Sequence, residues 1–262
     1  MRTVRDQVGR EVRIPDRPQR IVSLVPSLTE LLFDLAAGER LVGVTSYCVH
    51  PQERMGGIPR VGGPRDFLVE RVGELAPELV VASCEENPRE QVARLAESHP
   101  VWVCDVRSLS GALEMIRAIG TLVDSPARAA QLAAEISHGF GALAPKMAPM
   151  RTAYAVWWEP LMIAGGDTLI DDLLTRVGLR SLFRDSAEPY PRVSLAELAD
   201  RNPELLLLPS EPHCFSDAEA GVLREACPRA RVEFVDGELF CWYGSRLRLT
   251  PGYLTRLVQR IG

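Results

Sequence analysis

Aromatic and arginine side chains that follow predicted β-strands are the residues best suited to ligand binding. Tyr47 follows the apolar run 41–44, and Trp157 and Trp158 end a run in the second half of the chain. A further group follows the last predicted strand, namely Phe240, Trp242, Tyr243 and Arg246. Ligands of α/β proteins bind at the carboxyl ends of strands, and aromatic faces bury a large area at low entropic cost. The pattern favours a bulky, planar ligand.

Neighbouring residues on a strand face opposite sides of the sheet, so we expect one of Trp157 and Trp158 to lie in the core. The predicted aromatic and arginine contacts to the ligand are Tyr47, Trp158, Trp242, Tyr243 and Arg246. Packing in the core is the alternative role for about half of these aromatic residues.

Three charged residues are further candidates for the same site. Arg65 would supply a cation to carboxylate or phosphate groups of the ligand. Glu85 and Glu211 each come two residues after equivalent predicted strands, and we expect them to face each other across the mouth of a cleft. Helix capping and turn formation are the alternative role of both glutamates.

The motifs of common enzyme classes are absent from the sequence. It contains no G-x-G-x-x-G, Walker, G-x-S-x-G or H-E-x-x-H motif, and its four histidines form no i, i+4 pair. We therefore predict a protein without enzyme activity, catalytic residues, a metal-ion site or a covalent cofactor. An enzyme or metal-ion receptor that uses Cys48, His50 or His213 is the alternative hypothesis.

The composition is that of an ordinary globular protein. Of the 262 residues, 46% are hydrophobic and 25% are charged, and the net charge of -5 provides no basic excess for nucleic acid. No apolar run reaches the ~18 residues typical of a membrane-spanning helix, and residues 1–20 carry charges throughout, unlike a signal peptide. We expect a monomer without membrane insertion, extracytoplasmic if a leader has been removed and cytoplasmic otherwise.

Short β-rich runs alternate with helical patterns, which predicts an α/β fold with mainly parallel sheets. The predicted strands are 20–25, 41–44, 79–83 and 101–104, and the predicted helices are 27–35, 68–75 and 88–98. The first helix begins with S-L-T-E, in which Ser27 and Glu30 are expected to form a capping box. We expect Asn87 to open the third helix, with Pro88 as its first helical residue.

The second half of the chain repeats the plan of the first. Pro77-Glu78-Leu79 and the apolar run after it recur as Pro203-Glu204-Leu205, at an offset of 126 residues. Internal similarity of this length predicts two α/β lobes of related topology, at 1–122 and 150–262.

An alanine-rich segment separates the two predicted lobes. Within the linking region 123–149, residues 125–143 are expected to form one rigid helix, because alanine is the strongest helix former. The helix is expected to end over 144–150, which contains Pro145 and Pro149. Two similar lobes joined by a stiff helix predict a ligand cleft between them that closes little on binding.

Six segments resemble, in order, the helical-backbone substrate-binding proteins of ABC importers, which bind cobalamin, haem, ferric siderophores or metal ions. R-I-V-S-L-V-P-S-L-T-E resembles the family's opening strand and helix, V-G-V-T-S-Y its second strand, and L-A-P-E-L-V-V-A a later one. A-G-G-D-T-L-I, N-P-E-L-L-L-L and D-G-E-L-F-C-W-Y follow in the family's order. The resemblance covers nearly the whole chain and is to the cobalamin-binding branch.

This resemblance implies a substrate-binding protein for ABC-type import. It matches Tyr47 to a tyrosine that contacts the corrin, and Trp242 to an aromatic residue on the opposite wall. At two ligand-binding positions the sequence departs from the branch: Pro64 stands in place of tryptophan, and Met162 in place of phenylalanine. The implied ligand is therefore a corrinoid, haem or a ferric chelate.

The family docks on its permease through one exposed glutamate in each lobe, which meets arginines of the permease. Glu70 matches the first of these glutamates. Gly244 stands near the position of the second, for which Glu238 is a loose substitute. The resemblance thus implies an ABC permease as partner, and the alternative is a leaderless cytoplasmic binding protein for another small ligand.

Overall fold

A computed structural model describes residues 1–143 and 149–262, and these residues group into two compact units. The first unit consists of Met1–Val106, Ser110–Ser137 and Tyr243–Arg246, and the second of Arg107–Leu109, His138–Trp242 and Leu247–Gly262. The grouping differs from the predicted division into 1–122, 123–149 and 150–262, because a short segment near the carboxyl terminus belongs to the first unit.

The first unit begins with an antiparallel hairpin and continues into a parallel sheet. The hairpin strands are β1 (Arg2–Arg5) and β2 (Glu11–Ile14). The sheet strands are β3 (Ile21–Ser23), β4 (Leu41–Val44), β5 (Leu79–Ser83) and β6 (Val101–Cys104), in the spatial order β4-β3-β5-β6. Strands β5 and β6 are buried along their whole length, which explains their continuous apolar runs.

Helices connect these strands and cover the sheet. They are α1 (Pro26–Asp34), α2 (Val69–Glu74), α3 (Arg89–Ala96) and α4 (Leu109–Leu122). A core cluster includes Leu24, Phe67, Val80 and Leu95, from two loops, β5 and α3. The strands predicted at 41–44, 79–83 and 101–104 are confirmed to the residue.

The helix predicted at 125–143 is confirmed as α5 (Pro126–Gly141), which contributes residues to both units. Pro126 is its first residue, where a missing amide hydrogen costs nothing. The predicted end of this helix, 144–150, falls mostly on residues 144–148, which lie outside the described residues.

The second unit contains a mainly parallel five-stranded sheet. Its strands are β7 (Met150–Trp157), β8 (Met162–Ile163), β9 (Leu179–Ser181), β10 (Leu205–Pro209) and β11 (Arg231–Val235). Strands β9, β7, β10 and β11 lie side by side and parallel, and β8 pairs antiparallel to β7. The helices are α6 (Leu169–Arg176), α7 (Leu195–Asp200), α8 (Asp217–Ala226), α9 (Glu238–Cys241) and α10 (Thr250–Ile261).

The internal repeat extends to the element bounds and the hydrogen bonds. Adding 126 to the bounds of α2 and β5 gives those of α7 and β10. The left-handed residues Ala76 and Asn202, with φ of 44° and 50°, also stand 126 apart. The amide of Glu78 donates to the carbonyl of Arg20 at 2.8 Å, and that of Glu204 to the carbonyl of Arg151 at 2.9 Å. The two units therefore share a local plan.

The capping box predicted for the first helix is wrong. Val25 occupies the N-cap of α1 and Pro26 the first turn, so Ser27 already lies inside the helix and caps nothing. Capping boxes do form at Ser194 with Glu197 and at Ser216 with Glu219, in front of α7 and α8. In the structure, the third helix begins one residue later than predicted. Pro88 is the N-cap of α3, and Arg89 is its first helical residue.

Candidate functional site

Tyr47 is the most exposed large aromatic side chain of the first unit, with 67% of its surface accessible. It follows β4 and lies beside the loop that carries Pro64 and Arg65, since a Cβ on Gly63 would come within 3.3 Å of the tyrosine ring. Pro64 is half-buried and Arg65 is exposed. The structure thus places Tyr47 beside the start of the loop that carries Pro64 and Arg65.

A buried polar network supports the Tyr47 loop from below. The Cys48 thiol lies 3.1 Å from the hydroxyls of both Thr29 and Thr45, and burial raises its pKa. The Arg60 guanidinium donates to the carbonyls of Thr45 and Cys48, each at 2.8 Å. The side chain of Cys48, the residue after Tyr47, therefore anchors this loop. The thiol is held in its protonated, unreactive form.

Asn87 connects the loops at this end of the sheet, a role that its position before a predicted helix does not indicate. Its side chain accepts from the amide of Ser83 at 2.8 Å and donates to the carbonyls of Leu24 and Pro64 at 3.1 and 2.9 Å. The asparagine is 3% exposed. Glu85, on the same loop, is half-buried, and its amide donates to the Ser83 hydroxyl.

Two predicted ligand residues of the segment Tyr243–Arg246 are engaged within the first unit. Tyr243 is 2% exposed and donates its hydroxyl hydrogen to Glu86 at 2.9 Å, and burial raises the pKa of this phenol. Arg246 forms a bidentate pair with Glu30, at 2.9 and 2.7 Å, and both side chains are largely buried. These contacts hold the segment in place, and ligand contact by either residue stays a prediction.

Glu70, the predicted docking residue, is exposed in the first turn of α2 and forms an ion pair with Arg94 of α3. A backbone hydrogen bond and this arginine lower the pKa of Glu70, so the carboxylate is charged. At Gly244, where the family's second glutamate would stand, a Cβ would lie 2.6 Å from the carbonyl oxygen of Ser27. A side chain is sterically excluded at that position.

Four aromatic rings form a cluster where β7 and β10 end in the second unit. The ring centroids of Trp157 and His213 are 5.5 Å apart, those of His213 and Phe215 are 4.7 Å apart, and those of Trp158 and Phe215 are 6.3 Å apart. Trp157 is 44% exposed, whereas Trp158 packs against the core of this unit. One of the two tryptophans is exposed, as predicted, but it is Trp157. Met162, half-buried on β8, pairs with Trp157 across the strands.

His213 is fixed by a carboxylate as well as by these rings. Its Nε2 lies 2.8 Å from Oε1 of Glu219, whose other oxygen accepts from the amide and hydroxyl of Ser216. Partial burial opposes the charge on Glu219, but the hydrogen bonds from Ser216 and His213 outweigh it and lower the pKa of this carboxyl. The imidazole is thus tied to the capping box of α8.

Glu211 and Trp242 meet in the second unit. The indole Nε1 donates to Oε1 of Glu211 at 2.6 Å, and Trp242 is 4% exposed. Glu211 follows β10 at the position equivalent to Glu85, and it is half-buried. This hydrogen bond fixes the loop after β10 against the segment after α9. It agrees with the turn-forming role that is the alternative for Glu211, and ligand contact by Glu211 or Trp242 stays a prediction.

Gly237 lies so close to this loop that it tolerates no side chain. A Cβ there would stand 2.3 Å from the carbonyl oxygen of Glu211, and this neighbour is backbone. Gly237→Ala is therefore expected to lower the free energy of unfolding by roughly 1–3 kcal/mol. Thermal unfolding of the purified variant measures the effect.

Gly221→Ala is the matched control for this prediction. Gly221 lies within α8, and no atom stands within 4 Å of the position that a Cβ would take there. Alanine should therefore stabilise the helix by up to about 1 kcal/mol. An unchanged melting temperature for Gly237→Ala would contradict the close approach of the two backbones.

Within residues 1–143 and 149–262, no group of three or more His, Cys, Asp or Glu side chains is placed to hold a metal ion. Over the same residues, every helix is too short or too polar to cross a bilayer.

Comparison with known sequences identifies similar binding proteins. A family described as periplasmic binding protein matches residues 21–219. The vitamin B12-binding protein of Pectobacterium atrosepticum is 28% identical over 200 residues, covering 73% of this chain and 71% of the relative. The vitamin B12-binding protein of Vibrio parahaemolyticus is 25% identical over 203 residues, covering 76% and 73%.

Solved structures show the same fold. The periplasmic heme-binding protein RhuT from Roseiflexus sp. RS-1 has a TM-score of 0.74 at 25% identity, over 93% of this chain and 97% of that one. The periplasmic vitamin B12 binding protein BtuF of Vibrio cholerae has a TM-score of 0.75 at 19% identity, over 94% and 99%. The predicted α/β fold with mainly parallel sheets is thereby confirmed.

Proposed function

Because the chain belongs to the periplasmic binding protein family, we propose that it binds a corrinoid, haem or a similar metal chelate for import by an ABC permease. Family members bind substrates and are not enzymes, which fits a sequence without catalytic motifs. The relatives named above bind vitamin B12 or haem. Both ligands are large planar rings with a central metal.

The observation that carries this proposal is the exposure of Tyr47 and Trp157 at the carboxyl ends of β4 and β7. Large aromatic side chains of a folded protein are mostly buried, and each exposed ring leaves apolar area in contact with water. Such a ring at the functional edge of a parallel sheet suits stacking on a planar ligand. Each unit supplies one.

Charged and apolar residues beside these rings complete the proposed contacts. Arg65 is exposed on the loop whose Gly63 lies beside Tyr47, and its guanidinium suits the peripheral carboxylates of haem or the phosphate of a corrinoid. Pro64 and Met162 are smaller than the aromatic residues they replace, which leaves room for a ligand of different outline. Glu85, Glu211 and Trp242 are proposed to hold the neighbouring loops in a binding-competent shape.

Delivery to a permease is proposed through Glu70. Its carboxylate is exposed and charged, as docking on arginine requires, although in the free protein Arg94 already pairs with it. An extracytoplasmic location follows from this role. A second docking contact with the permease would require a residue other than Gly244.

Titration of the purified protein with cyanocobalamin, haemin and a ferric siderophore tests the proposal. We expect tight binding of at least one ligand, and Tyr47→Ala and Trp157→Ala should each weaken it by roughly 10- to 30-fold, as loss of a buried aromatic contact does. Isothermal calorimetry and visible absorbance measure the affinity.

Phe234→Ala provides the aromatic control. Phe234 is 41% exposed on β11, the strand at the edge of the sheet, and is not one of the predicted ligand residues, so its loss should change affinity less than about twofold. Failure of all three ligands to bind would overturn the proposal, as would equal losses for Phe234→Ala and Tyr47→Ala.

A further inference from the structure

We infer that Asn87 is a positioning residue for ligand binding, and that it acts by fixing the loop 62–66, from which Arg65 meets an anionic group at the periphery of the ligand. The inference rests on the proposed function and adds to it a chemical class, namely a chelate that carries peripheral carboxylate or phosphate groups. Residues 62–66 are called the presenting loop. All the contacts involved lie within the first unit.

The side-chain amide of Asn87 is fully matched to its surroundings. Its oxygen accepts from the amide of Ser83 at 2.8 Å, and its nitrogen donates to the carbonyls of Leu24 and Pro64 at 3.1 and 2.9 Å. Asparagine is the shortest side chain that supplies one acceptor and two such donors. Because the residue is 3% exposed, water does not replace these partners when the side chain is shortened, and the freed backbone groups lose their hydrogen bonds.

The middle of the presenting loop depends on Asn87. Proline has no amide hydrogen, so the carbonyl of Pro64 is its one backbone group that can form a hydrogen bond. Among the described residues, the only hydrogen-bond partner of this carbonyl is the side chain of Asn87. The other contact within the loop is local, from the amide of Gly63 to the carboxylate of Asp66 at 2.9 Å. Asn87 is therefore the contact that ties the middle of the loop to the body of the first unit.

Arg65 directly follows this anchored proline. It is exposed, and in the part of the chain that the structure describes neither its backbone nor its guanidinium has a hydrogen-bond partner. The place from which its side chain extends is thus set by Pro64, and through Pro64 by Asn87. A loop that is already ordered presents the cation without a cost in conformational entropy on binding, whereas a loose loop must be ordered by the ligand.

Hydrogen exchange of the ligand-free protein tests the positioning. The amides of Ser46 and Gly63 donate to atoms of the presenting loop, at 2.8 and 2.9 Å. In Asn87→Ala, both amides should exchange about tenfold faster or more, because the loop opens more often. The amide of Glu78, which is hydrogen-bonded at the amino end of the same sheet, should change less than about twofold and reports any general loss of stability.

Binding of haemin and cyanocobalamin tests whether Asn87 acts through Arg65. For the chelate that binds, Asn87→Ala and Arg65→Ala should each weaken binding by about 10-fold, and the double variant by roughly 10- to 20-fold instead of about 100-fold. Asn87→Ala combined with Trp157→Ala should instead lose the product of the two single effects, because Trp157 belongs to the second unit and shares no contact with the presenting loop.

Two further ligands identify the anionic group. Haemin dimethyl ester lacks the carboxylate charges of haemin, and dicyanocobinamide lacks the phosphate of cyanocobalamin. Whichever parent chelate binds, its uncharged counterpart should bind the native protein and Arg65→Ala with equal affinity. A full loss for Arg65→Ala with the uncharged counterpart would contradict the assigned chemical class.

Arg20→Ala is the matched control variant. Like Asn87, Arg20 donates to the backbone of a neighbouring loop, at 2.6 Å to the carbonyl of Leu75 and 3.2 Å to that of Ala76, but it does so at the amino end of the sheet. Its loss should leave the affinity for the chelate unchanged within about twofold. Asn87→Asp, which keeps an acceptor for the amide of Ser83 and cannot donate to Pro64 as a carboxylate, is the second variant and should loosen the presenting loop in the same way.

The outcomes separate this inference from the proposed function. If the amide of Gly63 exchanges at the native rate in both Asn87 variants, or if the effects of Asn87→Ala and Arg65→Ala on affinity multiply, the positioning role is wrong and the proposed function stands. If the native protein binds neither haemin nor cyanocobalamin, the role of Asn87 in ligand binding fails together with the proposed function for these chelates.

Discussion

Arg246→Met is expected to lower the free energy of unfolding by about 3–5 kcal/mol, because it leaves the buried carboxylate of Glu30 without its counter-charge. The guanidinium meets both carboxylate oxygens, at 2.9 and 2.7 Å, and the two side chains are only 13% and 15% exposed. Urea unfolding followed by circular dichroism measures the loss. The segment Tyr243–Arg246 joins the first unit partly through this pair.

The double substitution Glu30→Leu with Arg246→Met provides the control. Replacing both charges by apolar side chains of similar size removes the unpaired carboxylate, so most of the lost stability should return. If Arg246→Met alone costs less than about 1 kcal/mol, the pair behaves as an exposed salt bridge and the structural role is contradicted. If the double variant also regains full ligand affinity, Arg246 supports the fold and does not contact the ligand.

The strands of the first unit were predictable because their patterns are simple. Residues 79–83 and 101–104 are continuous apolar runs rich in valine, which a parallel sheet covered on both faces requires. The repeat was predictable because Pro203-Glu204-Leu205 preserves the turn, the amide contact and the strand start of Pro77-Glu78-Leu79. These features depend on the local sequence alone.

Features that depend on competing local signals were not predictable. S-L-T-E at Ser27 and S-L-A-E at Ser194 have the same capping pattern, yet only the second forms the box, because Pro26 starts α1 before Ser27 can cap it. The hairpin of β1 and β2 was not predictable because its residues are mostly charged or half-exposed. Its strands show an alternating burial pattern that is weak over four residues.

Residue types at the candidate site were predictable, whereas their exposure was not. Strand alternation shows that one of Trp157 and Trp158 is exposed, but it does not say which, because a shift of one residue exchanges the faces. The pair of Arg246 with Glu30 joins residues 216 positions apart, and no local pattern indicates it. The capping box of Ser216 with Glu219 follows from S-D-A-E in the sequence, whereas no local pattern indicates the contact of His213 with Glu219.

Trp242→Ala is expected to lower the free energy of unfolding by about 3–5 kcal/mol, as loss of a buried tryptophan does. Trp242 is 4% exposed, and its indole donates to Glu211 at 2.6 Å. The substitution therefore leaves a cavity and removes a hydrogen bond from a half-buried carboxylate. Thermal unfolding measures the loss, and a change below about 1 kcal/mol would contradict the packed position of this side chain.

This loss of stability complicates a simple binding test, because weak binding by Trp242→Ala would also follow from partial unfolding. Trp242→Phe keeps most of the buried volume and removes only the N–H group, at a cost of about 1–3 kcal/mol. Measured well below its melting temperature, Trp242→Phe should bind the chelate almost as tightly as the native protein if the indole supports the Glu211 loop from within the core. A tenfold or larger loss for a folded Trp242→Phe would instead show that the indole contacts the ligand, as the family resemblance implies.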